Sequence, residues 1–97
     1  MKTSTFRQIA VQEIALLNFP QHDILLTEEE RFNRDRSLDH AMILGNRDNA
    51  PSKIIFETID QETCLVESLV LAATASKTIL KNGVMIPIHS IKEVICT

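Results

Sequence analysis

The sequence predicts an α+β fold, with N-terminal helices packed on a small, strongly bent antiparallel β-sheet or an SH3/Sm-like barrel. Three observations carry this. Helical signals fill residues 1–46, while β-branched, alternating segments fill residues 53–97. A polar run, "NRDNAPSK" at 46–53, separates the two halves. Finally, "KNGVMIPIHSIKEV" at 81–94 holds a tight-turn dipeptide, an alternating apolar run broken by a proline, and then apolar residues three apart. A chain of 97 residues suits one domain, spanning 1–97.

The first helix is expected to start at "STFRQ". Thr5 and Gln8 have the spacing of a capping box, and Phe6, Ile9, Ala10, Ile14 and Leu17 fall on one stripe. Asn18 and Pro20 end it, because the residue before a proline is pushed out of the helical region. "HDILL" at 22–26 fits either a short extended segment or a buried connector. The next helix opens at "TEEE". Thr27 is its N-cap, Glu30 completes the capping box, and three glutamates in the first turn suit the positive end of the helix dipole. Ser37 either caps a third short helix or lies inside a long one. Leu38, Ala41 and Met42 form an inner face, and Gly45 stands as the left-handed residue that ends the helix, with Asn46 behind it.

The second half reads as strands. "KIIFETI" (53–59) is β-branched and aromatic, and "DQET" turns the chain. In "CLVESLVLAAT" (64–74) Cys64, Val66, Ser68 and Val70 alternate with Leu65, Glu67, Leu69 and Leu71, which favours strand over helix. "KTILK" (77–81) is a third strand. Asn82-Gly83 is a hairpin signal, because a type I′ turn needs positive φ at both central residues. Val84, Ile86 and Ile88 then share one face, and Met85 and Pro87 the other. Pro87 cannot donate to a ladder, so it belongs at an edge or bulge, where the strand leaves one neighbour for another. A single helical turn follows Ile88, then a short strand, "EVIC". Both glycines, Gly45 and Gly83, are thus expected at positive φ.

Composition bounds the function. Apolar residues make up 44% and charged residues 24%, an ordinary globular balance, and the net charge of −3 gives no overall basic field for nucleic acid. Arg7, Gln8, Gln12 and Glu13 interrupt any signal-peptide pattern, and the longest apolar run, Leu69 to Ala73, is too short for a membrane span. The expectation is a cytoplasmic protein without membrane contact. Cys64 and Cys96 would be reduced thiols there, a disulfide being the alternative if strands bring them together.

Two sets of residues are candidates for binding. Arg31, Arg34, Arg36, Arg47 and Lys53 exceed Asp35, Asp39 and Asp48 over 31–53. They suit either intrahelical pairs, Arg34 with Glu30 and Arg31 with Asp35, or contact with an anion or nucleic acid. Leu71, Met85 and Pro87 mark a candidate interaction edge for a second copy or an added strand. Catalysis finds little. His22-Asp23 and Asp39-His40 are adjacent pairs that do not converge as metal ligands, and His89-Ser90 lacks a third member. Glu57 and Glu67 would face each other across a hairpin as exposed carboxylates. No cofactor is expected.

Leu44-Gly45-Asn46, the strand Lys53 to Phe56, Val66-Glu67-Ser68 and the finish Leu80 to Ile91 resemble the tail of a family of short bacterial proteins of uncharacterised function. The likeness covers about residues 40–95. It implies a fold and supplies no catalytic residues, and this chain departs from the pattern at Leu69-Val70-Leu71. A looser likeness to Sm-like barrels, including small regulators of transcription termination, rests on the hairpin. The function expected is a non-enzymatic protein-interaction or regulatory module whose partner is a protein or a second copy. The alternative is a nucleic-acid-associated transcriptional or post-transcriptional regulator using the Arg/Lys set.

Overall fold

In the computed structural model, residues 6–96 form one α-helix and two small sheets. Helix α1 runs Glu28–Asp48. Its start follows from the sequence: the Glu30 amide donates to Thr27 Oγ1 at 3.1 Å, and Glu30 Oε1 accepts from the Thr27 amide at 3.3 Å. Ser37 lies inside this single long helix, and Leu38, Ala41 and Gly45 are buried along its inner side.

The first sheet holds β1 (Arg7–Gln8), β2 (Ser52–Glu57), β3 (Thr63–Ser68) and β7 (Ile91–Cys96), in the order β1-β3-β2-β7. The second holds β4 (Val70–Ala73), β5 (Lys77–Leu80) and β6 (Met85–Pro87), in that order. Every pairing is antiparallel except β1 with β3. The chain passes from one sheet to the other twice. Leu69 separates β3 from β4, so 64–74 is strand, bent at that point. The other crossing follows Pro87, where a 3-10 turn, Ile88–Ser90, carries the chain from β6 to β7. The proline thus stands where one pairing ends and the next is approached, as its missing N–H requires. The sheets do not close into a barrel. Instead α1 packs against β7 of one and β4 of the other.

Ile54, Phe56, Cys64 and Val66 from the first sheet meet Val70, Leu80 and Ile86 from the second, with Leu38 and Ala41 from the inner side of α1. Phe19 lies against Phe56, ring centroids 5.9 Å apart. Asn82 and Gly83 take the positive φ that the Asn-Gly signal requires, 67° and 76°. The loop, however, has three residues, Lys81–Gly83, closed by the Leu80 amide on Val84 O at 2.7 Å, and is not the two-residue hairpin expected.

Two further expectations fail. The first helix is replaced by β1 and a 3-10 helix, Val11–Leu16; its proposed cap, Thr5, lies outside the described residues. Ile9 and Ile14 do reach the core, but the Ile9 amide donates to Leu65 O at 2.9 Å, so sheet pairing takes the backbone bond a helix would have used. The second failure is Gly45, which lies inside α1 and does not end it. Asn49 takes the left-handed conformation, φ 54°, and the Ala50 amide bonds Leu44 O at 3.2 Å.

Candidate functional site

The interior face of α1 builds an ionic clamp. Arg34 is buried, with a side chain only 5% exposed. Its guanidinium donates to both carboxylate oxygens of Asp23, at 2.9 and 2.7 Å, and to Ile91 O at 3.1 Å. Asp23 sits on the loop between the 3-10 helix and α1, and its carboxylate also accepts from the Leu25 amide at 2.9 Å. Arg31 donates to Leu25 O at 2.9 Å and lies 3.5 Å from Asp23. Burial pushes the Asp23 carboxyl up, but the Arg34 hydrogen bond, the Leu25 amide and the nearby guanidinium charges together hold it below the usual carboxylate value. The clamp therefore ties the 20–25 loop to α1 and to β7. His89 completes the tie: its carbonyl accepts from the Ile24 amide at 3.0 Å, and its Nε2 contacts Pro20 O.

Around the clamp lies an open groove of about 610 Å³, lined by Arg31, Asp35 and Asp39 of α1, Thr74 and Ser76 of the β4–β5 turn, and His89. Its polar groups do not converge on a reacting centre. His89 and its neighbour Ser90 are both turned to backbone, Ser90 Oγ donating to Pro87 O at 2.8 Å. Among the described residues no three His, Cys, Asp or Glu side chains gather to hold a metal. Glu57 and Glu67 do not face one another: Glu67 stands opposite Lys53 and Glu57 opposite Thr63. Cys64 is buried and Cys96 half-buried, both free thiols; burial and the charge of Glu62 push the Cys64 thiol up.

The five cations do not share one surface, although Arg36 and Arg47 both lie on the outer face of α1. Arg34 is consumed by Asp23, not by Glu30, which caps Thr27. Arg31 lines the groove and is tied to the same aspartate, not to Asp35. Arg36 lies over the Phe32 ring, 5.9 Å from its centroid, and Arg47 pairs with Asp48 at 3.1 Å. Lys53 is exposed on β2, with Glu67 and Ile95 as cross-strand neighbours.

The two edges of the second sheet, which hold the candidate interaction residues, are blunted. Leu71 is the extra residue of a bulge in β4, and its carbonyl accepts from Asn46 Nδ2 of α1 at 2.9 Å. On β6 the flanking bonds Leu80 N–Val84 O and Ile88 N–Ser76 O turn the main-chain groups of Met85 and Pro87 away from β5. Pro87 has no N–H to offer, and Ser90 occupies its carbonyl, so Met85 alone presents a donor–acceptor pair there.

The feature that the binding candidates missed is the outer face of α1. Glu29, Phe32, Arg36, His40, Ile43 and Arg47 are all exposed and recur three or four residues apart, so they fall within about an 80° arc at 100° per residue. Phe32 is 61% and Ile43 52% exposed. The signal was present in the sequence as a second apolar spacing on a helix whose inner face already accounted for Leu38 and Ala41. No family model, curated protein or solved structure matches the chain.

Proposed function

We propose that the chain is a non-enzymatic protein-interaction module and that the outer face of α1 is its contact surface. One observation carries this: α1 bears apolar side chains on two opposite faces. Leu38, Ala41 and the backbone at Gly45 are used inward against the sheets, whereas Phe32 and Ile43 stand in solvent. Leu16 and Leu26 are exposed too, but on separate loops and turns, whereas Phe32 and Ile43 share one face of one helix with a row of charges. The clamp at Arg34 is consistent with the same reading, because the buried guanidinium is spent on holding a loop and is not offered to a ligand.

The alternative, a nucleic-acid-associated regulator, depends on the five cations acting together. Arg34 is enclosed, and Arg31 and Arg36 lie on opposite sides of α1. The test is capture from a native extract with tagged wild-type chain and with a Phe32→Ser/Ile43→Ser double variant, probed for protein and nucleic acid. The expected result is a protein partner, the chain's own copy or another, that the variant loses while its circular dichroism is unchanged. Recovery of nucleic acid alone, equally by both, would overturn the reading.

A further inference from the structure

Resting on that reading, we propose that the partner of this face is a second copy of the same chain, and that two α1 helices pack antiparallel about a two-fold axis at the level of residue 38. The stripe is complementary to its own reverse. In that arrangement Phe32 of each copy meets Ile43 of the other, so both exposed apolar side chains are covered by one contact made twice. Glu28 and Glu29, in the first turn, come opposite Arg47 in the last. Arg36 comes level with His40 on the stripe and with Asp39, which stands at its margin between the outer face and the groove. A parallel pairing would set Glu29 against Glu29 and Arg47 against Arg47, so the charges select the antiparallel one. A two-fold contact also closes on itself and leaves no free copy of the patch.

The groups needed are available. Among the described residues Arg47 is paired with its neighbour Asp48 alone, an exposed pair that it can exchange at little cost to the fold. Arg36 lies over the outer ring of Phe32, where its guanidinium stays free to reach a carboxylate while its stem covers apolar surface. Nothing in the clamp or the sheets has to move. The 21-residue helix is about 31 Å long at 1.5 Å per residue, so the paired face lies at the small end of specific interfaces. The dimer is accordingly expected to be weak and reversible.

Sedimentation velocity on the whole chain, from about 5 to about 500 μM, tests this. A reversible monomer–dimer equilibrium is expected. Ile43→Glu places a carboxylate against Phe32 of the other copy and should weaken association at least about tenfold. Glu29→Lys and Arg47→Glu should each weaken it, by about three- to tenfold, and the two combined should restore most of the loss. All of these positions are exposed, and circular dichroism confirms that each variant is folded. A monomer at every concentration overturns the inference, as does a dimer indifferent to Ile43→Glu, which would place the contact elsewhere. A charge-swapped double variant no tighter than the single ones overturns the antiparallel register. If self-association fails while the extract yields a different protein that Phe32→Ser/Ile43→Ser loses, only the second copy is excluded and the interaction reading stands.

Discussion

Gly45 of α1 lies directly against the backbone of Val70: a Cβ built on Gly45 would sit 2.5 Å from Val70 O and 3.2 Å from Val70 N. The close approach is what lets α1 reach β4 and lets Asn46 Nδ2 bond Leu71 O at 2.9 Å. The missing side chain and the one amide thus set how closely the helix and the second sheet approach.

Gly45→Ala is expected to destabilise the protein although alanine is the better helix former. The propensity gain is about 1 kcal/mol. Against it stands a clash with main-chain atoms, which cannot swing aside as a side chain could, and overpacking of this kind costs about 1–3 kcal/mol, occasionally more. A net loss of up to about 2 kcal/mol in urea unfolding is the expected outcome. An alanine variant more stable than wild type would show that α1 does not approach β4 this closely.

This contact shows where the sequence was legible and where it was not. Local rules worked when one residue decides its own backbone: Thr27 and Glu30 began the helix, Asn82-Gly83 made the turn, and Pro87 ended a pairing. They failed when a distant strand competed. Glycine followed by asparagine reads as a helix end, yet Gly45 was needed for Val70, and the true stop was Asn49 with Pro51 two residues later. Likewise Ile9 and Ile14 fit a helical stripe, but β3 offered its edge to the same segment. Asp23, too distant to look like a partner, displaced Glu30 from Arg34. The outer stripe of α1 was readable, but only once its inner face had been assigned.

The clamp sets an acid limit on stability. The Asp23 carboxyl is held below its ordinary value in the folded chain. The unfolded chain therefore binds this proton more readily, and stability falls as pH drops. The contribution is complete above the unfolded value of roughly 4 and is lost as pH falls through the lower folded value. Asp23→Asn should flatten the pH dependence of unfolding in that acid range. It should also cost about 3 kcal/mol at neutral pH, since it leaves Arg34 buried without a counter-charge. An unchanged acid limb in the variant would remove Asp23 from the account.

Thr78 presents the opposite case. It is fully buried on β5, and among the described residues its hydroxyl has no hydrogen-bond partner. Thr78→Val keeps the shape and removes the stranded oxygen, so it should stabilise the fold by about 1 kcal/mol. The rise in denaturation midpoint, with unchanged slope, is the measurement. A loss of stability would mean that the hydroxyl is satisfied in solution.

Gly83 separates the two reasons a chain uses glycine. Its φ is 76°, and a Cβ there would meet nothing within 4 Å. Gly83→Ala should therefore cost about 1–2 kcal/mol through backbone conformation alone. Gly83→Asn should recover part of that, because asparagine tolerates the left-handed region. At Gly45 the order reverses. Asparagine is larger than alanine and meets the same Val70 carbonyl, so Gly45→Asn should be worse than Gly45→Ala. Denaturant midpoints of the four variants form a crossed pattern if the two glycines act by different means. Parallel behaviour at both sites would show that one cause, backbone freedom, explains them both.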